Sequence, residues 1–178
     1  MNYLRRNRIG AQFAWRIIEM LESPAYRVLS LAAHRVLARI EIELAQHGGN
    51  DNGRLPVTFN QFVEYGINRH AIAPAIRELC ALGFLEVTEQ GRAGNAEFRQ
   101  PNKFRLSYRP VGRAKPTDEW RQIKTHEQAV ARQAEARRPQ RRSRLPRPRL
   151  VDGGNITVYH KTNKSALGPV GDSLEDYR

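Results

Sequence analysis

The chain has 178 residues, with 30 Lys+Arg against 18 Asp+Glu and a formal net charge of +12. No stretch approaches the ~20 apolar residues of a membrane-spanning helix, and the one cysteine, Cys80, excludes an internal disulfide framework and a Cys-cluster zinc site. Such a charge balance favours a polyanionic partner.

The charge is unevenly placed. Residues 1–109 carry a net +5, residues 110–150 a net +8 and residues 151–178 a net −1. The most basic stretch is also the poorest in large apolar side chains, so core and charge are expected in different parts of the chain. Residues 1–13 read as a basic arm with Arg5, Arg6 and Arg8, and no apolar segment of the kind a secretory signal carries follows them.

Ser23-Pro24 is a cap followed by proline at the first helical position, which marks a short turn carrying Tyr26 and Leu29. From Ser30 to His47, Leu31, Val36, Leu37, Ile40, Leu44 and Ala45 recur at mostly helical spacing. Ser30 serves as the cap and Gly48-Gly49 as the stop. Asn50-Asp51-Asn52-Gly53 is turn chemistry, and Leu55-Pro56-Val57 reads as a very short strand. Thr58-Phe59-Asn60-Gln61 fits a capping box. It opens a short helix with Phe59, Phe62 and Val63 inward, ending at Gly66. Asn68 caps a second helix striped by Ile72, Ile76, Leu79 and Leu82 and stopped by Gly83. Pro74 lies inside that pattern, so this helix either begins late, near Ala71 to Ala73, or is kinked. Cys80 on the same helix is expected to be a buried or half-buried core residue.

After Gly83 the period changes from 3.6 to 2. Phe84–Glu89 and Phe104–Tyr108 alternate on either side of a glycine-rich loop, as a β-hairpin does. The order helix, short strand, helix, turn, helix, hairpin is that of a winged helix-turn-helix domain, assigned to residues 14–110 in an α+β chain. Residues 111–138 read as a linker and a marginal helix. That helix runs from Thr117, its cap, to Arg138, and either packs back through Trp120 or forms only on binding. Residues 139–178, Arg/Pro-rich and then glycine-containing, read as a disordered, flexible tail. The run from Arg137 to Arg149 alone holds seven arginines and three prolines.

The run Met20–Ser30, the long helix after it and the Asn50–Gly53 turn resemble bacterial winged helix-turn-helix proteins, close to those of phage and plasmid replication proteins. Ala75-Ile76-Arg77-Glu78-Leu79 with Leu82-Gly83-Phe84-Leu85 looks like the end of a recognition helix entering a wing. The resemblance covers residues 12–109 and implies the fold and DNA binding.

On the second helix His70, Ala73 and Arg77 are three and four apart and share a face, away from Ile72, Ile76 and Leu79. A small Ala73 admits base edges, Arg77 suits a bidentate pair with guanine, and His70 or Asn68 suits a base or a phosphate. Arg69 sits where free backbone amides favour a phosphate oxygen. Arg92, Asn95 and Arg99 at the wing tip, with Lys103 on the following strand, suit a minor groove or a phosphate. Thr58, Asn60 and Gln61 add phosphate donors or act only as caps.

The expected function is sequence-specific binding of double-stranded DNA, without catalytic activity, in a transcriptional regulator or a replication accessory factor of a mobile element. A cytoplasmic, nucleoid-associated protein, compatible with a homodimer, follows from that reading. No membrane, metal or cofactor is expected. The five histidines lack ligand spacing, and no phosphate-cradling glycine loop occurs. The competing readings are an RNA or ribosome binder driven by the arginine-rich tail and a protein–protein adaptor built on the winged helix.

Overall fold

Four serine and threonine side chains set where helices begin. Ser23 Oγ accepts from the Tyr26 amide at the start of α2 (Pro24–Arg27), just after α1 (Ile18–Glu22). Ser30 Oγ accepts from the Ala33 amide at the start of α3 (Leu31–Gln46). Thr58 and Gln61 form the reciprocal capping box of α4 (Phe59–Glu64), and Thr125 caps α6 (His126–Arg137). Each cap satisfies a first-turn amide that has no helical partner, which contributes about 1 kcal/mol. Between α4 and α6 lie α5 (Arg69–Ala81), two strands and a 3₁₀ turn at Glu119–Gln122. The computed structural model describes Ala14, residues 16–92 and residues 100–139. The basic arm with Arg5, Arg6 and Arg8, the tip residues Asn95 and Arg99, and the tail from Gln140 onward lie outside the described residues.

Among those residues the chain is α+β, with six α-helices and one three-stranded antiparallel sheet, an arrangement compatible with a winged helix. The strands are β1 (Leu55–Val57), β2 (Leu85–Glu89) and β3 (Asn102–Leu106), ordered β1-β3-β2. Leu55 and Val87 both face Phe104, and Leu85 faces Leu106. These cross-strand pairs press one apolar face of the sheet onto the helices. Val36, Leu37 and Ile40 of α3, Phe62 of α4, and Ile72 and Leu79 of α5 close the core from the other side.

Several expectations need correcting. Leu31 is 69% exposed. It stands nine residues from Ile40, two and a half helical turns, and so on the opposite side of α3, while Ala33 fills the inward position. Val63 is 42% exposed, and the short α4 presents only Phe62 fully inward. α5 does not begin late: it starts at Arg69 and runs through Pro74 to Ala81. The second hairpin strand ends at Leu106 rather than Tyr108: the Ser107 amide makes one last rung to the Phe84 carbonyl (3.1 Å), and the Ser107 carbonyl then accepts from the Thr117 and Asp118 amides. Ser107 Oγ donates to the Gly83 carbonyl (2.6 Å) and Tyr108 OH to Glu41 Oε1 (2.7 Å).

Residues 117–138 do not form one helix. Ser107 O accepts from both the Thr117 and the Asp118 amides, and Asp118 then takes a left-handed backbone (φ 46°). The chain makes a single 3₁₀ turn and restarts helically only at the Thr125 cap, so Thr117 caps nothing. This detour buries Trp120 (2% exposed) and Ile123. The Trp120 ring lies parallel to Phe84, with centroids 6.5 Å apart.

Asn52, read only as turn chemistry, is buried beneath the sheet end. Its Nδ2 donates to the carbonyls of Leu106 (2.9 Å), Arg109 (2.9 Å) and Pro110 (3.2 Å), and its Oδ1 accepts from the Leu106 amide (2.8 Å). Asn52→Ala strands those backbone groups inside the protein, a loss of about 2–3 kcal/mol. Urea denaturation is expected to show a lowered midpoint with an unchanged slope.

Candidate nucleic-acid interface

The turn between α4 and α5 is built on Gly66, whose φ of +86° is costly for any side chain. The Ile67 amide closes back on the Phe62 carbonyl (3.1 Å) and the Ile67 side chain is buried, which pins the angle between the helices. Asn68 then caps α5 by accepting from the His70 amide (2.9 Å). Ile72, Ala75, Ile76 and Leu79 form the buried back of α5, while Asn68, Arg69 and His70 are exposed at its start.

Arg69 Nη1 donates to Asn60 Oδ1 (3.2 Å), joining the first turns of α4 and α5 into one polar surface. Arg35 of α3 adds a cation the sequence reading did not single out, donating through Nη1 to the Gly66 carbonyl (2.9 Å). Its signal was weak, an exposed arginine on a helix assigned to the core. Thr58 and Gln61 are engaged with each other: the Thr58 amide donates to Gln61 Oε1 (2.7 Å) and the Gln61 amide to Thr58 Oγ1 (3.2 Å).

The row Arg69, Ala73, Arg77 is not uniformly exposed. Arg69 is open to solvent, whereas Ala73 and Arg77 are half-buried. Arg77 Nε donates to the Ala136 carbonyl (2.9 Å) at the end of α6, so this guanidinium is partly engaged within its own chain. The adjacent Glu78 is fully buried on the same contact. The free surface of α5 is therefore its N-terminal half.

In the β2–β3 hairpin, Arg92 is exposed where the described part of the strands' connection begins. Lys103 pairs with Glu89 across the strands (2.6 Å), and Arg105 bonds Glu86 and Glu119 (2.9 Å to the latter), so both charges are locally neutralised. The structure thus gathers Asn60, Asn68, Arg69 and His70 around one turn. It places Lys103 in an interstrand ion pair and Arg77 against α6.

Cys80 is half-buried, and burial pushes its thiol up to about 11. The raised value keeps the sulfur protonated at neutral pH. Its reaction with a disulfide reagent at pH 8 is expected to be much slower in native than in urea-unfolded protein, as a stopped-time thiol assay would show. Among the described residues no cluster of three metal-ligating side chains occurs, and no helix is long and apolar enough to cross a membrane. Comparisons of the chain with protein-family models, with curated proteins and with solved structures gave no match.

Proposed function

We propose that the protein binds double-stranded DNA in a sequence-specific manner as a winged helix-turn-helix, with the N-terminal half of α5 in the major groove and β2–β3 as the wing. The observation that carries this reading is the capped start of α5. Arg69 and His70 stand exposed on a helix whose opposite side is buried in the core, with Asn60 and Arg35 beside them across the Gly66 turn. Polar side chains at the first turn of a rigidly backed helix are what direct base and phosphate contacts require. The net +12 supplies the long-range attraction. The resemblance to phage and plasmid replication proteins, with no catalytic motif beside it, favours a transcriptional regulator or a replication accessory factor of a mobile element.

Footprinting on genomic fragments tests this directly: discrete protected sites are expected, and uniform protection would count against specificity. Arg69→Ala is expected to weaken the preferred site by about 1–3 kcal/mol. With about six phosphates engaged, log affinity falls with log salt at a slope near −5. The slope is expected to flatten on removal of residues 140–149, whose five arginines would add nonspecific phosphate contacts. The same chemistry also suits RNA, and equal-salt competition between duplex DNA and structured RNA separates the two. A preference for the RNA would assign the function to the arginine-rich segment instead.

A further inference from the structure

α6 lies against the outer flank of α5, yet it is a polar helix. Its sequence HEQAVARQAEAR leaves Ala129 as its one fully buried residue, and Val130 is 43% exposed. A twelve-residue helix of this kind is marginal in water alone, so its order depends on docking.

The docking is polar and centres on one carboxylate. Glu78 of α5 accepts from the Ser30 amide (2.6 Å) and the Ser30 hydroxyl (2.8 Å) on one side, and from Gln133 Nε2 (2.9 Å) and Arg137 Nη1 (2.9 Å) of α6 on the other. Gln133 also donates to the Val28 carbonyl, and the Ala136 carbonyl accepts from Arg77. The two halves of this cluster are separable. Without α6, Glu78 keeps both Ser30 donors and regains water in place of the other two. Arg137 is 46% exposed, so its pair with Glu78 adds little to docking; the released form is thus a minor but accessible state, and α6 belongs to the less stable part of the fold. Release frees the Arg77 guanidinium and clears the C-terminal half of α5.

Resting on α5 as the recognition helix, we propose that α6 is a displaceable strap, latched through Glu78, that competes with duplex DNA for Arg77 and the C-terminal half of α5. A duplex shifts this equilibrium only as far as it favours the released state. The differential contact is Arg77, which bonds Ala136 in one state and is free for DNA in the other.

Gln133→Ala in the full-length protein removes both Gln133 bonds without changing charge. Hydrogen exchange in α6 and α3 reports the strap, and anisotropy at fixed salt reports affinity for a labelled mixed-sequence duplex about three helical turns long. Exchange across α6 is expected to accelerate about tenfold with α3 unchanged. Duplex affinity is expected to rise about three- to tenfold, and adding Arg77→Ala is expected to abolish the gain. Arg137→Gln, which leaves the Ser30 half of the cluster intact, should act in the same direction even though it removes a positive charge, and it serves if Gln133→Ala disturbs α3. Equal or weaker binding with α6 released would overturn the strap and leave DNA binding standing. Unchanged exchange in α6 would overturn the latch. No duplex binding by either protein would overturn the recognition-helix reading and the strap together.

Discussion

Gly83→Ala is expected to destabilise the protein by about 3–4 kcal/mol, which would lower its thermal midpoint by many degrees. Two costs combine at this position. The backbone has φ +77°, where a Cβ alone costs about 1–2 kcal/mol. In addition, a Cβ on Gly83 would stand 2.6 Å from the Trp120 backbone nitrogen and 2.7 Å from the Glu119 carbonyl carbon. Both are main-chain atoms, so no rotamer change relieves the overlap. Relief requires lifting the 3₁₀ turn away from the α5–β2 corner, which in turn loosens Trp120. Calorimetry or urea unfolding checks this. A loss of no more than about 2 kcal/mol, the backbone term alone, would mean that the turn does not rest on the glycine.

Trp120→Ala is expected to cost about 3–5 kcal/mol, the range for deleting a large buried aromatic side chain. The ring is almost wholly buried, lies parallel to Phe84, donates through Nε1 to Asp118 Oδ1 (3.1 Å) and has the Arg121 guanidinium 4.5 Å from its centroid. Trp120→Phe keeps much of the apolar area and should cost less than half as much, since the lost transfer and cavity terms both scale with the volume removed. Because Gly83 and Trp120 meet directly, the double variant should lose less than the sum of the single losses. Urea titrations of the four proteins measure this coupling. Additive losses would show that the two sites act independently.

The sequence offers the two halves of this joint only separately. Trp120 stood out only as a possible contact for a marginal helix, and Gly83 only as a helix stop. Stopping a helix needs nothing beyond the residue's own backbone freedom. Resting a second chain segment on it needs a partner 36–37 positions away, which no local window contains. The same holds for Asn52. A turn-forming asparagine and an asparagine that seals a sheet end look identical until Leu106, Arg109 and Pro110 are brought over it.

The candidate site divides along the same line. The first turns of α4 and α5 were legible because their signals are local: the Thr58–Gln61 capping box, the Gly66 turn and the Asn68 cap each act within three residues. Helical spacing likewise separated Arg69 and His70 from Ile72, Ile76 and Leu79. The state of Arg77 was not legible. Its place on the outer face follows from a rotation of 100° per residue, but its bond to Ala136 depends on where a segment 59 residues later returns.

What the amino-acid order determined by itself was therefore most of the elements between residues 23 and 106: the caps of α2 to α5, the glycine turn, the two pairing strands and the apolar stripes, Leu31 and Val63 apart. All of these arise from hydrogen bonds and side-chain spacing over three or four residues. Tertiary packing alone decided which polar groups are spent inside the molecule. Glu78 is buried because Ser30, Gln133 and Arg137 converge on it from positions 48, 55 and 59 residues away. A carboxylate can leave water only where such donors meet, and that meeting is a property of the folded chain.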